Sequence, residues 1–401
     1  MKKILIYTDC EYFAGCENII PVLLKHKKLN LYYNFCLTYK YSKSYYYGLK
    51  KKLNISKYDI YPIKILSFQV KNLVVDKILK KILSIFELFF MLYEIKILIT
   101  HFNKIKPDIV FINNGGYPGA RSCRSAAIAA KIIGIKFIYF NVNNIAQSYN
   151  SLKRISQYPV DKIVSLCVTK FTTASKYAKI KLKNTLNLKE NRILKLLNTF
   201  DKKKIVKNRN QIRFNLFNEK NSLFVGCVGV FKTNKGHYYF FEAIRILIEK
   251  FKCNNLKFIL IGEGPSLNIY NDIIKKYKIG QHIKIIPFQW NIFDYYNAMD
   301  IYVHPSILYD DLPFAVREAM SSGLPVIGSR FAGIPELVKH NVNGILVPPR
   351  NSLSLAKAIN YLANNKRLRK KFGNKSLDIY KSELSSKAVI KNYHKLFSSK
   401  Y

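Results

Sequence analysis

The chain has 401 residues, 49% hydrophobic and 14% aromatic, which is too long for one hydrophobic core and too apolar for a disordered chain. It carries 67 Lys and Arg against 24 Asp and Glu, a net charge of +43 that would attract nucleic acid, an anionic membrane or phosphate-bearing substrates. The chain is also rich in Lys, Asn, Ile and Tyr together, so a general compositional bias is an equally good explanation of this charge.

The cysteines and the apolar segments indicate in which cellular compartment the protein is expected. Seven Cys are scattered without a C-x-x-C pair, which argues against a disulfide framework or a zinc site and favours a reduced, cytoplasmic setting. The first residues, Met1–Phe13, contain only a short apolar run after two Lys and predict a strand, not a secretory signal. The longest apolar stretch, Ile78–Leu98, is interrupted by charges and is not predicted to span a membrane. On a helix that runs through Leu92, the polar residues of this region would form a narrow stripe, which favours packing in a core over contact with a membrane: Lys77, Lys80, Lys81, Ser84 and Glu87.

Strand and helix patterns alternate through the first half of the chain. Short apolar runs bounded by polar turns predict strands, and stretches of helical periodicity such as Arg121–Ile133 lie between them. The predicted strands of this half are Lys3–Thr8, Leu31–Leu37, Asp59–Ile65, Asp108–Ile112 and Lys136–Asn141.

The second half repeats this alternation, with helices predicted over Lys235–Glu249 and Leu353–Ala363. Such a pattern predicts an α/β protein with two doubly wound, Rossmann-like parallel sheets, one in each half. The predicted strands of this half are Ser222–Gly229, Lys257–Gly262, His282–Pro287, Ile301–His304, Pro325–Gly328 and Gly344–Val347.

The polar, basic stretch Asp201–Gln211 is the predicted linker between the two halves. It divides the chain into an N-terminal domain of residues 1–203, a C-terminal domain of residues 204–384 and a helical tail of residues 385–401.

The most informative segment runs from Tyr302 to Asn351. Within it two carboxylates, Asp310 and Glu318, bracket a Leu-Pro-Phe turn, and Glu318 falls one turn into a predicted helix opened by Pro313. A carboxylate accepts hydrogen bonds from paired hydroxyls, and a helix N-terminus attracts phosphate. This short element is therefore suited to hold the polyol and the phosphate of one ligand.

The segment resembles the donor site of the retaining glycosyltransferases of family 4, whose signature is a long, ordered series of motifs. The first acid is Asp310 here, where Glu is usual. The matching elements are Asp310 and Glu318, then Ala319-Met320, Ser322-Gly323-Leu324-Pro325-Val326-Ile327, Gly333-Ile334-Pro335-Glu336 and Asn343-Gly344. The resemblance implies the GT-B fold, in which two such domains face each other across a cleft. It also implies that the C-terminal helix within residues 385–401 packs back on the N-terminal domain.

The resemblance implies a role for each residue of this segment. Glu318 would hold the ribose hydroxyls of a nucleotide-diphosphate sugar, and Asp310 the hydroxyls of the transferred sugar. The helix opening at Phe314, with Leu312 and Pro313 before it, would lie against the leaving diphosphate.

A second motif, Val228–His237, follows a predicted strand and opens a helix. It resembles the family's phosphate-binding loop, which carries an Arg after its first Gly and a Lys before its second. Gly229 and Lys235 match, whereas Val230 occupies the position of the Arg, so Lys232 is the candidate to supply the missing charge. The alternative for Lys235 is a solvated lysine at the start of a helix.

Two loops of the first half carry weaker matches. Ala14-Gly15-Cys16-Glu17 resembles the family's small-Gly-x-Glu loop, in which Gly15 would let the backbone approach the donor, although a plain turn glycine fits equally well. Asn143 stands near the place where many relatives have a His against the donor sugar, and its amide can hydrogen-bond a hydroxyl but cannot titrate.

Three further sets of residues are candidates for a role in the site. The turn Gly262-Glu263-Gly264 is either structural or part of the donor cleft, His304 is expected to be a hydrogen-bonded structural histidine, and Asp311 is expected to be solvated. There is no D-x-D motif, and His and Cys lack ligand spacing, so neither a metal nor another cofactor is expected.

The resemblance implies a retaining glycosyltransferase that uses a nucleotide-diphosphate sugar, with a lipid-linked glycan or surface polysaccharide precursor as the acceptor. A sugar-nucleotide epimerase of the same fold and, from charge alone, a nucleic-acid-binding protein are the alternatives; no nucleic-acid motif is present, so no nucleic-acid partner is expected. The run Lys40–Lys52 interleaves Lys and Tyr and suits acceptor contact or peripheral attachment to an anionic membrane from the cytoplasmic side.

Overall fold

The computed structural model describes residues 1–65, 86–219 and 221–399. The predicted polar stripe from Lys77 to Ser84 lies outside these residues. The chain folds into two compact units, unit 1 (residues 1–200 and 389–401) and unit 2 (residues 201–388). The sequence placed the corresponding boundaries after residues 203 and 384.

Unit 1 is built on a parallel sheet whose described strands follow the order β3-β2-β1-β4-β5-β6-β7. Strands β6 and β7 were not predicted, because runs of four and three residues carry too little pattern to be recognised. The strands are β1 Lys2–Thr8, β2 Tyr33–Lys40, β3 Asp59–Ile63, β4 Ile109–Asn114, β5 Phe137–Val142, β6 Lys170–Thr173 and β7 Ile193–Lys195.

Helices cover both faces of this sheet, and each face buries its own apolar cluster. The C-terminal helix belongs to unit 1, since Val389, Tyr393 and Phe397 are buried in the same cluster as Ile4 and Leu37. The described helices are α1 Ile19–Lys25, α2 Lys43–Lys52, α3 Glu87–Ile105, α4 Arg121–Ile132, α5 Leu152–Ser156, α6 Tyr158–Cys167, α7 Lys176–Leu186 and α16 Ser386–Ser398.

Unit 2 is built on a second parallel sheet, with described strands in the order β10-β9-β8-β11-β12-β13. The predicted strands of this half are confirmed, with ends that shift by no more than one residue. They are β8 Leu223–Val228, β9 Leu256–Ile261, β10 Ile283–Ile286, β11 Ile301–His304, β12 Val326–Ser329 and β13 Gly344–Val347. The described helices are α8 Arg209–Phe217, α9 His237–Glu249, α10 Leu267–Lys276, α11 Ile292–Ala298, α12 Phe314–Ser321, α13 Ile334–Leu337, α14 Ser352–Ala363 and α15 Lys366–Ile379.

The prediction of a linker over Asp201–Gln211 is wrong at its C-terminal end, where α8 begins. Arg209 and Arg213 lie one turn apart on that helix and both form ion pairs with Asp300, Arg213 Nη2 at 2.5 Å from Oδ2. Arg209, one of the basic residues of the predicted linker, is therefore paired within unit 2, and Arg213 lies just beyond the predicted stretch.

Across the described residues no helix is both long enough and apolar enough to cross a membrane. All seven cysteines are free thiols.

Candidate functional site

The best-defined polar cluster of unit 2 lies where the strand order of its sheet reverses. Strands β8 and β11 are neighbours in the sheet but are separated by two strands along the chain. In open parallel sheets the loops that follow such a pair diverge and leave a crevice at the carboxyl edge, where ligands bind. Here those loops are residues 229–236 and 305–313.

Backbone hydrogen bonds tie these two loops together. The carbonyl of Asn234 accepts from the amides of Ile307 at 2.9 Å and Leu308 at 3.2 Å. Gly236 has φ +69°, and a Cβ there would lie 2.0 Å from the carbonyl oxygen of Pro305. Only glycine allows this approach, so the side chains of the two loops are held at fixed separations.

Asp310 is the centre of the cluster and is buried. Its Oδ2 accepts from Lys235 Nζ at 2.8 Å, from His304 Nε2 at 2.8 Å and from Ser306 Oγ at 2.7 Å, while Oδ1 takes no part in these bonds. Burial alone would raise the pKa of this carboxyl, but the charges and hydrogen bonds of Lys235 and His304 outweigh it and hold the pKa well below its usual range. Asp310 is therefore a carboxylate at neutral pH.

The ion pair joins two residues that the sequence assigned to different parts of a ligand, Asp310 to a sugar and Lys235 to a diphosphate. Lys235 lies in a 3₁₀ turn, Thr233–Lys235, and the helix predicted from this residue begins only at His237. Lys232 precedes the turn, and its side chain is exposed.

Glu318 is half-buried one turn into α12, as the sequence predicted for its position. Tyr296 Oη donates to its Oε2 at 3.1 Å. Burial, followed by the Glu318 charge, raises the pKa of Tyr296 well above its ordinary value, so this phenol remains a donor. Pro313 precedes the first residue of the helix, Phe314, and Leu312 is buried beside them.

Of two expectations about the neighbouring residues, one is confirmed and the other is wrong. His304 is hydrogen-bonded as expected, to Tyr302 Oη at 3.2 Å as well as to Asp310. The expectation that Asp311 is solvated is wrong, because its exposed fraction is 2%. Ser306 and Tyr296 were missed, since no pattern in the sequence marks a serine or a tyrosine as a carboxylate partner.

The Gly262-Glu263-Gly264 turn packs on the 229–236 loop. A Cβ on Gly262, with φ +151°, would lie 2.0 Å from the carbonyl oxygen of Gly229, and one on Gly264 would lie 2.6 Å from that of Phe231. The structural reason for both glycines is therefore close packing, which fixes the loop that carries Gly229 and Lys235.

His237 lies directly behind this loop and is buried. Its Nδ1 is 2.9 Å from Tyr270 Oη. Burial, and then the neighbouring His304 and Lys235, lower the pKa of His237 to about 3, so the imidazole is neutral at pH 7.

The loop after β1 in unit 1 also meets a reversal of strand order, between β1 and β4. Gly15 opens a 3₁₀ turn there, and Glu17 beside it is fully buried. Glu17 accepts from Tyr45 Oη at 2.6 Å and Asn113 Nδ2 at 2.9 Å. Burial raises the pKa of Glu17, and the hydrogen bonds it accepts partly offset that rise.

Asn143 belongs to a network of asparagine side chains in unit 1. Its Nδ2 donates to Asn113 Oδ1 at 2.9 Å and to the carbonyl of Asn114 at 2.8 Å, while its Oδ1 accepts from Asn141 and Asn198. Both polar atoms of the amide therefore have protein partners, and a sugar hydroxyl would have to share them.

Comparison with known proteins finds similarity to glycosyltransferases. Residues 208–378, nearly all of unit 2, match the family model described as "Glycosyl transferases group 1". The chain spans 30% to 58% of the length of several curated relatives that it matches. One of these is the UDP-Gal:alpha-D-GlcNAc-diphosphoundecaprenol alpha-1,3-galactosyltransferase of Escherichia coli, 28% identical over 55% of this chain and 58% of that protein. A longer match is the capsular polysaccharide biosynthesis glycosyltransferase CapM of Staphylococcus aureus, 24% identical over 75% of this chain and 79% of the relative.

Among solved structures, Anabaena Alr3699/HepE in complex with UDP aligns over 100% of both chains with a TM-score of 0.76 at 15% identity. At that identity the likeness establishes the fold alone. The two Rossmann-like parallel-sheet units are those of the GT-B fold.

Proposed function

We propose that this protein is a retaining glycosyltransferase that moves a sugar from a nucleotide-diphosphate sugar to an acceptor. The observation that carries the proposal is the ion pair between the buried Asp310 and the half-buried Lys235 at the strand-order reversal of unit 2, with Glu318 on the helix that follows. This pair lies within the stretch that matches the group 1 glycosyl transferases.

The chemistry divides between the two carboxylates and the cations. Glu318, oriented by Tyr296, accepts hydrogen bonds from the ribose hydroxyls of the donor. Asp310 uses Oδ1 to accept from the hydroxyls of the transferred sugar, since Oδ2 is committed to protein donors. Lys235, held against Asp310, places a positive charge beside the sugar, where the bond to the leaving phosphate breaks.

Stabilisation of the leaving diphosphate is the main catalytic contribution. Its charge grows in the transition state, and pre-oriented charges stabilise it without reorganisation. The N-terminus of α12 at Phe314 and the exposed Lys232 add to Lys235. The acceptor attacks from the face that the diphosphate leaves, without a covalent sugar–enzyme intermediate.

A divalent cation is not needed in this scheme. Lys235, Lys232 and the helix N-terminus supply the positive charge that Mg²⁺ supplies in enzymes that clamp phosphates with metal. Transfer should persist in excess chelator, whereas Lys235→Ala should reduce it strongly. Loss of transfer in chelator and its recovery with Mg²⁺ or Mn²⁺ would contradict this part of the proposal.

The acceptor we propose is a lipid-linked glycan or a surface polysaccharide precursor. The names of the Escherichia coli and Staphylococcus aureus relatives describe a diphosphoundecaprenol-linked substrate and capsular polysaccharide synthesis. The +43 charge favours a diphosphate-bearing acceptor at an anionic membrane.

Purified protein is given a panel of nucleotide sugars, beginning with UDP-sugars, together with lipid-diphosphate-linked sugar acceptors. We expect release of the nucleoside diphosphate that depends on the acceptor and a product that keeps the anomeric configuration. Glu318→Gln should lower kcat/KM for the donor about ten- to a hundredfold, through the loss of charged hydrogen bonds worth about 1.5–3 kcal/mol each.

Glu249→Gln is the matched control, because Glu249 lies on the surface of the same unit and pairs only with Arg245 among the described residues. Conversion of the nucleotide sugar without any acceptor would instead indicate an epimerase. A Glu318→Gln protein that folds and keeps the wild-type kcat/KM would remove this residue from the site.

A further inference from the structure

Two cysteines and a buried carboxylate meet in the loop after β1 of unit 1. Cys10 Sγ, Cys16 Sγ and one oxygen of Glu17 all lie within 4.8 Å of one another. Glu17 Oε1 is 3.2 Å from Cys10 Sγ and 3.7 Å from Cys16 Sγ. The spacing Cys-x₅-Cys-Glu is not a usual ligand pattern, which is why the sequence did not predict this cluster.

The two sulfur–oxygen separations are close to the corresponding edges of a zinc tetrahedron. With Zn–S bonds of about 2.3 Å and a Zn–O bond of about 2.0 Å, the sulfur–oxygen edge is about 3.5 Å and the sulfur–sulfur edge about 3.8 Å. The two measured S–O distances fall on either side of the first value. A metal ion could therefore bind Oε1 and either sulfur with shifts of a few tenths of an ångström, and the two sulfurs lie within 4.8 Å of each other.

The carboxylate is held in position by partners outside this set. Thr8 Oγ1 donates to Oε1 at 3.1 Å and Asn113 Nδ2 at 2.9 Å, and Tyr45 Oη donates to Oε2 at 2.6 Å. Outer hydrogen bonds of this kind orient metal ligands and are part of the affinity of such sites.

The two thiols approach Oε1 as weak S–H donors, beside the stronger hydrogen bonds from Thr8 and Asn113. A metal ion bound between the two sulfurs would take the place of these two S–H contacts at Oε1. Exchange of the two thiol protons for one divalent cation leaves the net charge of the buried cluster unchanged, because two thiolates form as two positive charges arrive.

We propose that Cys10, Cys16 and Glu17 bind one thiolate-preferring divalent cation, Zn²⁺, with the fourth position filled by water or a ligand. Two S–M bonds and one O–M bond form, and the two thiol protons pass to solvent. Thiolate ligands select Zn²⁺ over Mg²⁺ or Ca²⁺. The site would fix the loop that contains Gly15, and the proposal does not depend on the glycosyltransferase activity.

Co²⁺ substitution tests the site, because a tetrahedral cobalt–thiolate centre is coloured. The whole protein is reduced with a phosphine, stripped of metal and titrated with Co²⁺. We expect about one equivalent to give tetrahedral d–d bands and a thiolate charge-transfer band, both lost on addition of Zn²⁺. Cys10→Ser and Cys16→Ser should each lose the charge-transfer intensity, whereas the control Cys253→Ser, at a half-buried thiol of unit 2, should keep it.

A conservative variant separates ligation from folding. Thr8→Val keeps the shape of β1 but removes one hydrogen bond to Glu17, and it should weaken Zn²⁺ binding roughly ten- to a hundredfold while the cobalt spectrum stays tetrahedral. The absence of a thiolate band in folded wild-type protein would overturn the proposal, and so would a band that persists unchanged in Cys10→Ser and Cys16→Ser.

Discussion

Asp310 shows how one buried residue can organise a site. A buried charge is costly unless it is paired, and here three donors converge on one oxygen. The sequence motif identified Asp310 and Lys235 separately, but they are 75 positions apart, and nothing in the pattern indicated that they would touch. Because of this pairing, Oδ2 of Asp310 already accepts hydrogen bonds from protein donors.

Asp310→Asn tests whether this residue serves the sugar. The amide loses one acceptor, so binding of the full nucleotide sugar should weaken about tenfold or more, while binding of the free nucleoside diphosphate should change little. Calorimetry with each ligand measures the two effects, and Asp272→Asn on the exposed side of α10 is the matched control. Equal weakening of both ligands would mean that Asp310 does not contact the sugar.

His237 should make unit 2 less stable in acid. Its pKa is about 3 in the folded protein and near 6.5 when unfolded, so the unfolded state binds the proton first as pH falls. The stabilisation is complete above about pH 6.5 and is lost toward pH 3, at up to about 1.4 kcal/mol per unit. Between pH 7 and pH 5 the free energy of unfolding of His237→Asn should therefore fall by about 2 kcal/mol less than that of wild type.

Trp290, the single tryptophan, lies in unit 2, so its fluorescence in urea reports on the unfolding of that unit. His340→Asn, at an exposed histidine of the same unit, is the control and should follow wild type. If the free energies of unfolding of His237→Asn and wild type changed equally with pH, the lowered pKa of His237 would be contradicted.

At the scale of elements, the site depends on how two loops are joined. The turn before α9 and the loop after β11 share the hydrogen bonds of Asn234, and Gly236 allows their close approach. The sequence predicted β8, α9 and β11 with nearly correct ends, yet it extended α9 over Lys235. Local periodicity cannot distinguish the last residue of a 3₁₀ turn from the first residues of a helix.

Gly236→Ala should destabilise unit 2 and weaken donor binding together. Its φ of +69° disfavours a side chain, and the new Cβ would lie 2.0 Å from a backbone oxygen. We expect the free energy of unfolding, followed by Trp290 fluorescence, to fall by more than about 1 kcal/mol. Gly280→Ala is the control and should lower it less, because its Cβ would meet only a side chain at 3.8 Å. Equal stability of the two variants would show that the loop can relax.

At the scale of the whole molecule, charge and exposed apolar side chains suit a membrane surface. Part of the Lys40–Lys52 run is core, since Tyr45 and Leu49 are buried on α2, while Tyr46 and Tyr47 remain exposed. Further apolar side chains are exposed on the surface at the start of α3 and on α5, and Gln157, directly after α5, donates to Glu87 at 3.1 Å. These exposed side chains are Phe86, Leu88, Phe89, Leu92, Leu152 and Ile155.

We expect the protein to float with anionic vesicles at low salt and to dissociate as salt screens its charge. Leu88 is 63% exposed in this surface, so Leu88→Gln should weaken partitioning about tenfold through lost apolar burial. Ile269→Gln removes a similarly exposed side chain from unit 2 and is the control. Equal flotation with neutral vesicles, or none at low salt, would remove the proposal.

The sequence by itself determined the two parallel sheets, their principal strands and the positions of Asp310, Glu318 and Lys235 along the chain. These follow from local periodicity and from a motif whose spacing is fixed within one loop and one helix. Only the tertiary structure decided what those side chains touch. The bonds from Lys235 to Asp310, from Tyr296 to Glu318 and from Asn113 to Glu17 join residues that lie in different segments of the fold. Sheet order and loop packing bring these residues together, and neither leaves a periodic signal in the chain. The sequence did not indicate the Cys10–Cys16–Glu17 cluster for the same reason. The short distances between its side-chain atoms arise from the fold of one loop and not from spacing in the sequence.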